Sequence, residues 1–219
     1  MLDEERRGAL AASWLGSVLN SSMPPDTALP ALKGLIDQDW LDLIAQLRAA
    51  GTIGLRLFLP RPGDPRGQRS PDPEAGSAAA VLGWVGPTGI QGWTTVQPSA
   101  PWVSFASPPV RVPTESVQDA DRHLRAAILK GAEEMAELQQ AVTATERRGQ
   151  TEQELRRWSD APLESDNASL AAKAVPLLLA LASAPPAGLT VNAQDARTGA
   201  LRALDPVVRT AVEVAYSTA

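Results

Sequence analysis

The spacing of apolar residues changes period twice along this chain, and that change limits the available folds more than any single motif does. Up to residue 51 the period is helical. In "LAASWLGSVLN" the residues Leu10, Trp14, Leu15, Val18 and Leu19 recur at three- and four-residue steps, which sets one apolar face toward a core. "SSMPPDTALP" interrupts the pattern, and helix resumes in "DQDWLDLIAQLRAAG". There Trp40, Leu43, Ile44 and Leu47 share a face, Asp39, Asp42 and Gln46 point away, and Gly51 suits a left-handed C-terminal cap. "TIGLRLFLP" then alternates, with Ile53, Leu55, Leu57 and Leu59 on one side and Arg56 and Phe58 on the other. A period of two predicts a strand covered on one face.

In "AAAVLGWVGPTGIQGWTTVQP" two β-type runs flank "GPTG", with Pro87 and Gly89 where a type I turn favours them. If Val85 opposes Ile90, unbroken pairing sets Leu82 opposite Trp93 and on the side of Trp84. "WVSFA" and "VRV" supply a fourth strand. Pro108 and Pro109 interrupt it and mark it as a bent or edge strand, because proline cannot donate to a ladder.

From Thr114 the helical period returns. Leu124, Ile128, Gly131, Met135, Leu138 and Val142 form a heptad-like seam on a helix expected over 116–147. "TEQE", Thr151 to Glu154, has the form of a capping box that opens another helix. The apolar run Leu170 to Leu181 predicts a buried helix, bent or delayed by Pro176. Asn192 with Asp195, and then Asp205-Pro206, mark two further helix starts. The expected fold class is α+β: N-terminal helices, an antiparallel four-stranded meander, and a C-terminal helical half. The boundary falls between 1–115 and 116–219, two parts that could also pack as one domain.

Several function classes are disfavoured by composition. A net charge of −5 and a pI near 5.0 lack the basic excess of a general nucleic-acid binder. Absence of cysteine removes disulfides, thiolate metal sites and a Cys nucleophile, and fits a reducing cytoplasm. The opening "MLDEERRGALAASWLGSVLN" does not read as a signal peptide. The longest apolar stretch, Ala174 to Leu189, holds three prolines and is too short for a membrane helix. The expectation is a soluble cytoplasmic chain without membrane or nucleic-acid partners.

Candidate chemistry is sparse. His123 is the one histidine, and in "DADRHLR" it reads as a helical surface residue paired with a carboxylate such as Asp119. Glu133 and Glu137 lie one turn apart, but the Glu-x-x-His motifs of a di-metal bundle are missing, so a solvated face is expected. Neither G-x-S-x-G nor a Walker loop occurs. No catalytic residue, cofactor or metal is therefore assigned. The unusual features are the loop "LPRPGDPRG" with its charged continuation to Ser77, and the tryptophans of the sheet. The loop reads as a strand end running into a mobile segment, because its prolines stop the ladder and little after them can anchor to a core. Arg61, Asp64, Arg66 and Arg69, with Trp84 and Trp93, are the candidate partner-binding residues, since Arg and Trp are enriched at binding hot spots. Set against this, six Trp beside two Phe and one Tyr can simply fill a core. The expected function is a non-catalytic binding or adaptor protein that contacts a protein partner or a second copy of itself. The alternative is a small anionic-ligand binder or enzyme with Arg61 and Arg66 at the site.

"LRLFLPRPGDPRG" resembles the "LxLPxPGDPxG" segment of a family of conserved hypothetical proteins from actinobacteria. The tail "DARTGALRALDPVVRTAVEVAY" is similar to that family's C-terminal helices. The resemblance implies the order of sheet followed by helices, and it implies no activity.

Overall fold

Glycine, alanine and serine crowd the first helix, α1 (Leu2–Leu19), and explain how closely the sheet approaches it. In the computed structural model, which describes residues 2–35, 39–61, 64, 78–96, 102, 104–112, 114–136, 148–183 and 191–218, α1 is buried almost all round from Gly8 to Leu19. Trp14 is only partly buried, so the burial rests on Ala9, Ala11, Ala12, Leu15 and Val18 more than on a single large-residue stripe. The chain divides into two compact units, one of Met1–Thr114, Ala161–Leu163 and Tyr216–Ala219, the other of Glu115–Asp160 and Glu164–Ala215.

In the first unit, α1 is followed by α2 (Pro25–Lys33) and α3 (Trp40–Ala49), and then by strands β1 (Gly54–Phe58), β2 (Ala80–Gly86), β3 (Gly89–Val96) and β4 (Ser104–Val110). The α2 helix overlaps the segment expected to break helical structure. Pro25 stands at its first turn, where no amide hydrogen is needed, and Pro30 deprives only the exposed Asp26 carbonyl of a partner. Asp39 caps α3 by accepting from the amides of Leu41 and Asp42 at 3.0 Å, and Trp40, Leu43, Ile44 and Leu47 are buried as their spacing requires. Gly51 follows with φ of 73°, the left-handed conformation that a glycine adopts without strain.

The four strands form an antiparallel meander in the order β1-β2-β3-β4. Val85 does oppose Ile90, but Gly83 rather than Leu82 opposes Trp93. Between those pairs β3 holds one extra residue, so that Trp84 faces both Gln91 and Gly92. The expectation that Trp84 and Trp93 share a side is thereby corrected. Trp84 lies with Leu55, Leu57, Leu82 and Thr94 on the face covered by α1, and Trp93 lies with Phe58 and Val81 on the other. A Cβ at Gly92 would fall 2.1 Å from the Trp84 ring, so the indole occupies the space that glycine leaves. Its Nε1 donates to Thr94 Oγ1 at 2.8 Å. Phe58 is buried as well as Leu57, so β1 is covered on both sides at its end, while Ile53 is exposed.

Both edge strands carry a device that limits further pairing. In β4, Pro108 and Pro109 fall where the strand runs from Ala106 to Val110 while β3 advances only from Gly92 to Ile90. Along β1, the Leu55 and Leu57 amides donate to Thr218 Oγ1 and Ser217 Oγ at 3.1 Å, and Thr218 N donates to Leu55 O at 2.9 Å. Thr218 sits where a Cβ on Gly16 would be, 1.9 Å from its Oγ1.

The second unit holds α4 (Val117–Ala136), α5 (Arg148–Trp158), α6 (Ser165–Ser183) and α7 (Val191–Tyr216), the last residue of α7 belonging to the first unit. Ser116 Oγ accepts from the Asp119 amide at 3.1 Å and donates to its carboxylate, which fixes the start of α4. Of the expected seam, Leu124 is fully buried, yet Ile128 is 36% exposed and the Cβ position of Gly131 has nothing within 4 Å. Leu138 and Val142 lie outside the described residues. Thr151 does not open α5, which already begins at Arg148. Pro176 and Pro206 neither delay nor divide their helices: α6 and α7 run through them. Each proline frees one carbonyl, on Ala172 and on Arg202, and both of those residues are exposed, where water can take the freed bond. Asp205 does not begin a new helix either. It accepts from Arg209 Nε at 2.8 Å, one turn on. Asn167 Nδ2 donates to the Ala215 carbonyl at 2.9 Å and so ties α6 to the end of α7.

Two predictions follow from this packing. Gly16→Ala must displace Thr218 from the β1 edge and should cost about 1–3 kcal/mol in chemical denaturation, whereas Gly131→Ala, entering open space in a helix, should stabilise by roughly 0.5–1 kcal/mol. The reverse ranking would mean that Thr218 is not seated against Gly16. Asp121 accepts from Lys173 Nζ at 2.7 Å, and that hydrogen bond, aided by Arg125 against the cost of burial, holds its carboxyl below the ordinary value. A lowered carboxyl stabilises the fold at neutral pH and loses that contribution as pH falls through the folded-state value, below about pH 4. Asp121→Asn should therefore be less stable than the wild type at pH 7 and show a flatter loss of stability from pH 5 to 3; identical pH profiles would dismiss the pair as a contributor.

Candidate functional site

The loop that follows β1 is tied down at its start. Arg61 N donates to Asp64 O at 3.0 Å and Asp64 N donates to Arg61 O at 2.9 Å, a closed antiparallel pair that returns the chain on itself. The Arg61 guanidinium forms an ion pair with the Glu5 carboxylate of α1, whose residue is fully buried. The expectation of an unanchored strand end is corrected for these two residues. A carboxylate removed from water requires a cation, and Arg61 supplies it. Arg66 and Arg69 lie outside the described residues, as does the rest of 65–77. Among the candidate partner-binding residues, then, Arg61 is directed inward and Asp64 closes a turn.

Trp84 is 6% exposed and Trp93 is 1% exposed, so both indoles serve as core side chains on opposite faces of the sheet. Trp93 packs against Phe58 with ring centroids 5.4 Å apart, in a cluster completed by Val81 and Ile90. Val85 and Val112 border that cluster. Arg56, opposite Gly83 in the ladder, lays its guanidinium over Phe58, with Cζ 5.3 Å from the ring centre.

Around this cluster, at the hairpin end of the sheet, a cleft of about 530 Å³ opens. Val85, Ile90, Val110 and Val112 give it apolar walls, and the Pro87-Thr88 turn forms one rim. Among the described residues, Arg56 and Arg111 are its charged lining residues and no carboxylate lines it. Arg56 is held in place: Nη1 donates to Val112 O at 3.0 Å and to Thr114 Oγ1 at 3.2 Å. Arg111 follows β4, is exposed, and makes no ion pair among the described residues. The arrangement sets two arginines beside an apolar surface. It offers no nucleophile paired with a base.

Arg56 escaped notice in the sequence because an arginine on the polar side of an alternating strand reads as solvated. The signal was its position two residues before Phe58, in a strand also buried on that side. Glu5 was missed too, although it shares a helical face with Gly8, Ala9 and Ala12, all buried. His123 pairs with a carboxylate as expected, but its Nδ1 lies 2.5 Å from Glu115 Oε1, Asp119 being engaged with Ser116 and Arg122. Among the described residues, no three side chains of His, Asp or Glu are grouped to hold a metal. No helix among them is long and apolar enough to cross a membrane.

Arg61→Ala should destabilise the fold by roughly 3 kcal/mol in urea unfolding, because it strands a buried carboxylate. A loss below about 1 kcal/mol would show that other groups hold Glu5, and would remove Arg61 as the anchor of the turn.

Neither the curated proteins nor the solved structures contain a match to this chain. A family model does match. It runs from Gly8, within α1, to Pro87 in the β2–β3 turn and includes the whole of "LRLFLPRPGDPRG", whereas the similar tail from Asp195 to Tyr216 lies outside it. Residues 8–87 are similar to the N-terminal domain of the Rv1486c-like proteins, an uncharacterised family, in keeping with the resemblance read from the sequence.

Proposed function

We propose that this chain is a non-catalytic, cytoplasmic binding module that contacts a protein partner through the sheet face opposite α1. The observation that carries this reading is the cleft over the Phe58–Trp93 cluster, where an apolar floor meets a guanidinium fixed by two hydrogen bonds. A side chain held in place before binding loses little freedom on contact, which favours affinity. Trp93 contributes as the buried support of that floor, and Trp84 supports the opposite face. Absence of cysteine fits the cytoplasmic location. The rival, a small anionic-ligand site built on Arg61 and Arg66, is weakened by the engagement of Arg61 with buried Glu5.

The test compares affinity purification on the wild type with two variants that leave the core intact. Thr88→Trp fills the rim of the cleft, and Leu129→Gln alters an exposed residue of α4. A partner, or a second copy, retained by the wild type and Leu129→Gln but lost from Thr88→Trp is the expected result. Retention by all three would overturn the assignment of this face. A thermal shift on adding sugar phosphates or nucleotides, abolished by substitution at Arg61, would favour the rival; a ligand at 100 times its Kd stabilises by about 2.7 kcal/mol.

A further inference from the structure

We infer that α4 pairs in antiparallel fashion with α4 of a second copy of this chain, through the stripe Arg122, Ala126, Leu129 and Glu133. The inference is independent of the cleft on the sheet, and it leaves that cleft to a different protein.

The four residues follow one another at steps of four, three and four, so they fall in a single line along the helix. All four are exposed. Ala120 and Leu124, at 2% and 0% exposure, mark the side of α4 that packs within its own unit, and the stripe runs along the opposite side. Leu129 stands in the middle of that stripe. Among the described residues no large apolar side chain is more exposed, at 66%. A leucine so placed gains by being taken out of water.

The order of charges selects the occupant and its direction. Read backwards, the stripe keeps the same spacing but exchanges its cation for its anion. Turned end for end against itself, it sets each Arg122 opposite the second copy's Glu133 and each Leu129 against the second copy's Ala126, whose small side chain leaves room for it. Both charge pairs and both apolar contacts are thus made twice. A parallel pair would set arginine on arginine and glutamate on glutamate, which repel. Arg122 already donates to Asp119 at 2.8 Å, but a guanidinium has further N–H donors and can meet a second carboxylate without releasing the first. A stable interface uses about 20–30 residues a side, and one helix face supplies far fewer, so the pairing is weak and rises with concentration.

Sedimentation equilibrium of the full chain should give a mass near 23.1 kDa in dilute solution, rising toward twice that value as the concentration approaches about 1 mM. Leu129→Gln should remain monomeric over the same range. Arg122→Glu and Glu133→Arg should each weaken self-association at least tenfold, because each sets like charges together at both ends of the pair. An equimolar mixture of those two variants, one with an acidic stripe and one with a basic stripe, should associate as the wild type does. The double variant that exchanges both charges should do the same. Recovery in the mixture shows both variants to be folded, so the loss in each alone is not misfolding. A wild type that stays near 23.1 kDa throughout, single variants that associate like the wild type, or a mixture that fails to associate overturns the inference. Thr88→Trp should self-associate normally; if it is monomeric while Leu129→Gln still associates, the second copy sits on the sheet and the inference falls.

Discussion

One extra residue in β3 sets the character of both faces of the sheet. Side chains alternate along a strand, so an insertion of one residue moves everything beyond it to the other side. Here it places Gln91 and Gly92 together opposite Trp84 and carries Trp93 away from the α1 face. Each face thereby receives one indole. On the helix side Trp84 lies over Gly92 and bonds Thr94, which in turn meets Ser104 Oγ at 2.9 Å. On the other side Trp93 meets Phe58, and Ile90, Val85 and Val112, packed with them, line the cleft. Without the insertion, both tryptophans would compete for the space beneath α1, where small residues leave little room.

The same crowding governs α1. A Cβ on Gly8 would lie 2.6 Å from the Ala80 side chain, so the helix approaches the strands as closely as backbone allows. Close approach also buries Glu5, one turn before Gly8, and a buried carboxylate must be compensated. The link from α1 to the turn at Arg61 and Asp64 is thus a consequence of helix packing, and it places the beginning of the Pro-rich loop. Sequence, packing and loop position form a single chain of cause here.

Much of the architecture was legible in the sequence because periodicity reports burial directly. Trp40, Leu43, Ile44 and Leu47 are buried together, Gly51 has the left-handed conformation expected of it, and Val85 does meet Ile90. The failures share a physical origin. Prolines at 30, 176 and 206 were read as breaks, yet a proline costs a helix one hydrogen bond, and the freed carbonyl in each case belongs to an exposed residue. The bulge was invisible because a register shift depends on what lies across the strand, such as the room that Gly92 and Gly83 leave for two large rings. Of the candidate site, the sheet, its tryptophans and Arg61 were named, but not the partner that Arg61 meets. Arg61 was conspicuous among prolines, and its burial partner Glu5 lies 56 positions earlier in the chain, beyond the reach of any local pattern.

Arg56 and Arg61 show why position in the ladder, more than charge, decides what an arginine does. They stand near either end of the same segment, and both are removed in part from water. Arg61 meets a carboxylate of its own chain, so its charge is neutralised within the fold. Arg56 meets a carbonyl, a hydroxyl and an aromatic ring, all within the sheet and the segment that follows it. The difference arises from alternation along β1, which turns Arg56 to the open face beside Phe58 while the chain beyond Leu59 folds back toward α1.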